Sequence, residues 1–201
     1  MRLAWKSFIG CAALGLILLA PKQGFAQGTA DPEAALKEIN IWYSERIKQA
    51  RDSKMTVDLP KLLAERKAKF EAALKDADVE KTDPAKCLAL AQLYSGAQKP
   101  AETLAAAKRF LISNPAPAPK YTAQSMVLGG YATANDADGI LSMLADMKPI
   151  TAQSSALLAG TTARIYAPIV ATKKGTPAAL DLITNMEGRV QFDELKTDAE
   201  K

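Results

Sequence analysis

Residues 83–113 read DPAKCLALAQLYSGAQKPAETLAAAKRFLIS. Apolar side chains recur here every three or four residues, which predicts two amphipathic helices. The first helix begins at Asp83-Pro84 and ends at Gly96, because an acidic cap before proline opens helices and glycine closes them. The second begins at Pro100. The short turn between them predicts an antiparallel pair, and such a pair cannot bury its apolar face alone.

The same pattern continues in both directions from this segment, and strand-like alternation is nearly absent. The sequence therefore predicts an all-α fold in which antiparallel helix pairs stack as a short superhelix. Residues 189–201 form a charged tail that we expect to be disordered. The helical domain is predicted over residues 27–188, with pairs at about 31–77, 83–113, 120–148 and 151–188 and with helix starts at Asp31, Asp58, Asp83, Asp136 and Thr151.

Three features interrupt the helical pattern. Residues 114–119 alternate proline with other residues, and we interpret them as a stiff extended connector. Pro168 is expected to kink its helix because it removes one backbone hydrogen bond. Gly129 and Gly130 lie inside a predicted helix at a cost of about 1 kcal/mol each relative to alanine. Either a neighbouring helix approaches closely there, or the helix breaks.

An internal repeat supports the stacked arrangement. A shift of the chain by 37 residues aligns Tyr94 with Tyr131 and Leu104 with Leu141. Periods of this length with helix–turn–helix units are typical of helical-repeat proteins.

Residues 83–188 resemble a degenerate tetratricopeptide-type helical-repeat protein. Leu90, Ala91 and Tyr94 match the large, small and aromatic positions of a first repeat helix, and Pro115 matches the proline that follows the second helix. The resemblance implies a short superhelix that serves as a binding scaffold for a protein or peptide partner.

The first 26 residues have the pattern of an export signal. A basic start with Arg2 precedes an apolar run over residues 8–20, and Gly24 and Ala26 are the small residues expected before a cleavage site. The apolar run is shorter than the ~20 residues that a membrane span requires. We therefore predict a cleaved signal peptide, a periplasmic or secreted bacterial protein, and no stable membrane span after cleavage.

A second, weaker resemblance concerns this leader together with the helical region. The combination is similar to the segment that precedes the thioredoxin-like domain of bacterial envelope thiol–disulfide reductases. It implies that the chain could be an N-terminal accessory region of such an enzyme. The helical region itself has one cysteine, Cys87, which is interpreted either as a small core residue or as an exposed thiol that pairs with a partner.

Composition excludes several classes of function. Cleavage after Ala26 would remove three of the 26 basic residues and none of the 22 acidic ones, leaving a net charge of +1. This near-neutral balance is not that of a nucleic-acid-binding protein. The chain has no histidine, so Ser-His-Asp and Cys-His catalysis and the usual imidazole zinc sites are excluded. We expect no cofactor, no metal and no catalytic residue of a recognised motif.

The remaining candidates are few. Tyr94, Tyr131 and Tyr166 are candidate lining residues of a partner-binding face, and each is also a possible core residue. Glu45, close to Trp42 in sequence, is the candidate acid of an alternative function, a carboxylate-only hydrolase that cleaves peptidoglycan. That alternative requires Glu45 to lie in an open cleft. Residues 135–139 read NDADG and resemble part of a calcium loop, but helix capping is the preferred interpretation.

Overall fold

The computed structural model describes residues 31–53 and 58–187. Every regular element within these two ranges is a helix, which confirms the predicted all-α fold. The helices are α1 (Pro32–Asp52), α2 (Leu59–Ala73), α3 (Cys87–Gly96), α4 (Pro100–Ile112), α5 (Pro117–Thr133), α6 (Ala137–Asp146), α7 (Ala152–Thr161), α8 (Ala167–Lys174) and α9 (Thr176–Glu187), with a 3₁₀ turn at Pro84–Lys86 and a π-helical turn at Thr162–Tyr166.

The predicted helix starts are confirmed by capping hydrogen bonds. At each start, a side-chain oxygen accepts a hydrogen bond from a backbone amide two or three residues further along the chain, which satisfies one free donor of the first turn. At Thr151 the cap is reciprocal, since the Ser154 hydroxyl also accepts from the Thr151 amide at 2.9 Å. The capping residues are Asp31, Asp58, Asp83, Asp136 and Thr151.

The prediction of an extended connector over residues 114–119 is wrong for the second half of this segment. Helix α5 begins at Pro117 and includes Pro119. Proline is tolerated in the first turn of a helix because the amides of that turn have no intrahelical acceptor. The prolines therefore mark the start of α5 and leave only a short turn after α4.

The helices pack as neighbouring pairs. Helix α3 contacts α1 and α2 of the preceding pair, its own partner α4, and α5 of the following pair. The buried residues form two main hydrophobic clusters, and α5 contributes to both. Val127 belongs to the first cluster and the adjacent Leu128 to the second. The stack is therefore continuous from α1 to α9.

The turns that follow α3 and α5 have the same geometry. Gln98 and Asn135, which are 37 residues apart, both adopt left-handed backbone angles, with φ of 60° and 52°. In each turn the next amide donates to the carbonyl of a tyrosine in the preceding helix, Tyr94 or Tyr131, at 2.9 Å. This is the Schellman closure of a helix end. The 37-residue shift that aligns side chains in the sequence therefore also relates two turns of the same backbone geometry.

The paired glycines of α5 have different surroundings. Helix α5 is unbroken through both. A Cβ atom built on Gly130 would lie 3.0 Å from the Cβ of Leu104 on α4, whereas one built on Gly129 would meet nothing within 4 Å. Of the two explanations offered by the sequence, close helix approach therefore accounts for Gly130. Nothing in the structure explains Gly129.

A π-helical turn lies directly before Pro168, where the sequence predicts a kink. The Ala167 amide donates to the Thr162 carbonyl, five residues back instead of four. Proline cannot donate to the carbonyl four residues before it, which favours a wider turn at this point. Thr162 is 1% exposed, and its hydroxyl has no hydrogen-bond partner.

The predicted signal peptide and charged tail lie outside the described residues. Among the described helices, none combines the length and the apolar character needed to span a membrane.

Candidate functional site

An open groove of about 830 Å³ runs along one side of the first half of the stack. It lies between α1 and α3, and α4 and α5 each contribute one residue to its lining. Helices α1, α3 and α5 are the first helices of three successive pairs. The lining residues are Glu33, Leu36, Lys37, Asn40, Ile41, Ser44 and Glu45 of α1, Ala85, Leu88, Ala89 and Gln92 of the 3₁₀ turn and α3, Phe110 of α4 and Pro119 of α5.

The groove has an apolar floor that is open to solvent. Helix α1 uses Ala35 and Ile39 to pack into the core, and these residues are 4% and 0% exposed. Ile41 lies on the groove side of the same helix and is 48% exposed. Leu88, which is partly buried, and Phe110, which is 6% exposed, also line the groove, so Ile41 supplies most of the apolar surface that the described residues leave uncovered. Surfaces of this kind mark binding sites when they are contiguous and rimmed by polar groups.

Polar side chains of α1 form one rim of the groove. Asn40 accepts a hydrogen bond at its Oδ1 from Nη2 of Arg66 at 2.9 Å. The Arg66 guanidinium lies 4.3 Å from the ring centre of Tyr43 and 5.3 Å from that of Phe70, which holds it in place. Because a guanidinium can only donate, the Asn40 oxygen must face Arg66. The amide NH₂ is therefore the group that Asn40 offers to a ligand.

Three charged side chains line the groove, all on α1. Glu33, Lys37 and Glu45 are exposed, and the ion pairs found among the described residues include none of the three. Their charges are therefore available to a bound molecule.

The three candidate tyrosines do not line this groove. Tyr94 is 5% exposed and donates its hydroxyl hydrogen to the Ala77 carbonyl at 3.3 Å, and Tyr166 is 6% exposed. Burial raises the pKa of both phenols. Tyr131 is half-buried, with the Lys108 ammonium 4.7 Å from its ring centre. The structure places Tyr94 and Tyr166 in the core and does not bring the three together on one open face.

Glu45 does line an open groove, as the hydrolase alternative requires. Its aromatic neighbours in sequence lie elsewhere. Neither Trp42 nor Tyr43 lines the groove, and Trp42 lies under Lys69 of α2, with 4.6 Å between the ammonium and the ring centre. The aromatic cluster therefore belongs to the α1–α2 contact, and the carboxylate is separate from it.

Cys87 is a buried thiol. It is 0% exposed, and its Sγ lies 3.4 Å from the Asp83 carbonyl oxygen. Burial raises the pKa of the thiol, and this effect is partly opposed by the nearby Arg109 guanidinium. Arg109 also donates to the carbonyls of Glu80 at 2.8 Å and Thr82 at 3.2 Å, which fixes the loop over the cysteine. The core interpretation is confirmed, and the interpretation as an exposed thiol is wrong.

The acidic residues at 135–139 act as a helix start. The Asp136 carboxylate accepts from the Gly139 amide at 2.9 Å, and Asp138 pairs with Lys174 at 2.7 Å. Across residues 31–53 and 58–187, no group of three or more potential ligand side chains could hold a metal ion.

Sequence reasoning did not identify the groove. The core face of α1 carries Ala35 and Ile39, and Ile41 lies off that face. An isoleucine on the polar side of an amphipathic helix was the signal that could have pointed to this surface.

Comparison of the chain with family models, with curated proteins and with solved structures found no match.

Proposed function

We propose that this protein is an exported, non-catalytic helical-repeat scaffold of the bacterial envelope, which binds a short segment of a protein partner in the α1–α3 groove. The observation that carries the proposal is the exposed Ile41, which lines the groove beside the partly buried Leu88 and charged side chains of α1 that form no ion pair with another described residue. Binding sites combine apolar surface with a few polar groups in this way.

Two further features support a scaffold of the tetratricopeptide type. The groove is lined mainly by the first helices of successive pairs, which is where stacked repeats present a continuous binding surface. The repeated turn geometry at Gln98 and Asn135 supports a helical repeat of 37 residues. Export is proposed from the leader pattern of residues 1–26.

The test begins with the protein expressed with its own leader and purified from the periplasm of a bacterial host. Intact mass establishes whether cleavage follows Ala26. A displayed library of random 12-residue peptides is then selected against the purified protein, and the affinity of selected peptides is measured by calorimetry.

Ile41→Asp should weaken binding of the selected peptides at least tenfold, because it places a charge on the apolar floor. Leu63→Asp on α2 is the matched control, since Leu63 is also 48% exposed but does not line the groove. The proposal is refuted if no peptide is selected, or if both substitutions affect binding equally.

The hydrolase alternative retains one supporting observation, the position of Glu45 in the groove. A carboxylic acid at an open cleft could protonate a glycosidic oxygen. The purified protein is incubated with intact peptidoglycan, and released fragments are analysed by mass spectrometry. Release by the wild type that is lost in Glu45→Gln would favour the hydrolase, whereas equal background release by both proteins would eliminate it.

A further inference from the structure

Arg66 on α2 is a cation that has no counter-ion among the described residues. Its guanidinium lies 4.3 Å from the ring centre of Tyr43 and 5.3 Å from that of Phe70, and none of the ion pairs between described residues includes it. Aromatic rings stabilise a cation through their π-faces, but they offer no oxygen atom to its N–H groups. The two rings therefore fix the position of the charge without satisfying its hydrogen-bond donors.

The hydrogen bonds of Arg66 show which of its donors remain free. Nη2 donates to Oδ1 of Asn40 at 2.9 Å, and Nε is buried without a partner. Nη1 is not among the buried atoms that lack a partner, and it donates to no described residue, so it reaches solvent. A guanidinium has five donor hydrogens. Because one is used by Asn40 and the one on Nε is buried, three are left on the two terminal nitrogens.

Asn40 connects Arg66 to the α1–α3 groove. Asn40 is exposed and lines the groove, whereas Arg66 does not. Since the Asn40 oxygen accepts from Arg66, the Asn40 NH₂ group is the donor that remains beside the guanidinium. Donors from two residues, one of them positively charged, thus lie next to each other at this edge of the groove.

We propose that Arg66 and Asn40 bind a carboxylate group at this edge of the groove. A carboxylate has two oxygens that accept from neighbouring donors at once, and its hydrogen bonds to a guanidinium are about twice as strong as those between neutral groups. Its single negative charge also matches the single guanidinium, whereas a phosphate group carries about −1.5 to −2 at pH 7. The ligand need not be a peptide, so this inference goes beyond the proposed function and is tested separately from it.

The first test follows the two side chains directly by NMR. The probes are N-acetyl-leucine, whose carboxylate is that of a chain terminus, and N-acetyl-aspartic acid α-amide, whose carboxylate is that of an acidic side chain. N-acetyl-leucine amide, which has no carboxylate, and inorganic phosphate complete the set. Each probe is titrated into the ¹⁵N-labelled protein at constant ionic strength, and the resonances of the Arg66 Nε–H and the Asn40 NH₂ are recorded.

At least one carboxylate probe should shift both resonances to saturation, and the amide should not. A response to N-acetyl-leucine alone would identify a chain terminus as the source of the carboxylate, and a response to the aspartate derivative alone would identify an acidic side chain. Asn40→Ala should weaken binding by about two- to tenfold, because one hydrogen bond is lost. The matched control is Gln49→Ala, which removes an exposed amide of α1 that does not line the groove. The proposal is overturned if neither carboxylate shifts these resonances, or if the amide or phosphate binds as tightly.

Asn40→Asp tests the same site without an added ligand. It places a carboxylate oxygen where Nη2 of Arg66 already donates, and so supplies the missing counter-ion from within the chain. At low salt the ratio of folded to unfolded protein should rise by about two- to fivefold in urea titrations, and by less at high salt. This rise should be absent in an Arg66→Gln background, and Asn40→Asp should bind the carboxylate probes more weakly than the wild type. If Asn40→Asp changes stability equally with and without Arg66, no anion is accepted at this position and the proposal is wrong.

Discussion

The adjacent glycines of α5 should respond oppositely to the same substitution. Alanine is better than glycine in a helix interior by about 1 kcal/mol. Gly129 is exposed, and an added Cβ meets nothing within 4 Å, so Gly129→Ala should increase the free energy of unfolding by about 0.5–1 kcal/mol. For a domain of this size that is a rise in Tm of about 1–4 °C.

Gly130→Ala has the same gain in helix propensity but adds a steric cost. The new Cβ lies 3.0, 3.1 and 3.2 Å from Cβ, Cδ1 and Cγ of Leu104. The nearest atom is fixed to the backbone of α4, so the helices must separate slightly, and overpacking of this kind costs about 1–3 kcal/mol. We expect a net loss of about 0–2 kcal/mol.

The assay is thermal and urea unfolding followed by circular dichroism, with both variants compared with the wild type. The double variant Gly130→Ala with Leu104→Ala should be more stable than the sum of the single effects predicts, because two of the three close atoms are removed. An increase in stability for Gly130→Ala equal to that for Gly129→Ala would refute the close approach of α4 and α5.

Four further predictions concern single positions. Gln98→Gly should raise the free energy of unfolding by up to about 1 kcal/mol in urea titrations, because the left-handed backbone at this position is costly for a residue with a Cβ. Thr162→Val should raise it by about 1 kcal/mol, because the lost hydroxyl is buried without a partner; a decrease would show that an unobserved partner satisfies it. Arg109→Gln should lower the free energy of unfolding by about 1–2 kcal/mol and accelerate labelling of Cys87 by iodoacetamide, since two hydrogen bonds that fix the covering loop are lost. Burial raises the pKa of the Tyr166 phenol, so the folded state favours its neutral form. This group should therefore leave the free energy of unfolding unchanged below about pH 10 and lower it as the pH rises further. In urea titrations between about pH 8 and 11, the free energy of unfolding of Tyr166→Phe should fall less steeply than that of the wild type.

Local features of the fold were predictable from sequence. Helix starts at Asp31, Asp58 and Thr151 depend on side chains that bond to the next few amides, so the necessary information lies within one turn. The error at Pro117 came from treating proline as a helix breaker without regard to its position in the helix.

The groove depends on contacts that a single sequence does not reveal. It forms because α1 packs beside α3, which brings Ile41 and Leu88 to the same groove although they are 47 positions apart along the chain. The burial of Tyr94 and Tyr166 has the same cause. Helical spacing shows that Tyr94 lies on the apolar face of its helix, but only the packing of its neighbours shows that this face is closed.

The π-turn at Thr162–Tyr166 keeps the inward side of the helical segment from α7 to α8 in register. Ser155 and Val170 are both buried, yet fifteen residues of regular helix at 100° each would leave them about 60° apart around the axis. The turn contains one residue more than an α-helical turn, so the fifteen residues rotate like about fourteen, and Ser155 and Val170 lie about 40° apart in the opposite sense. Both values lie within one buried face of a helix. Shortening the chain by one residue within the turn would therefore leave α7 and α8 with nearly the same rotational phase relative to each other. The segment can accommodate this change of length without reorienting the elements that follow it.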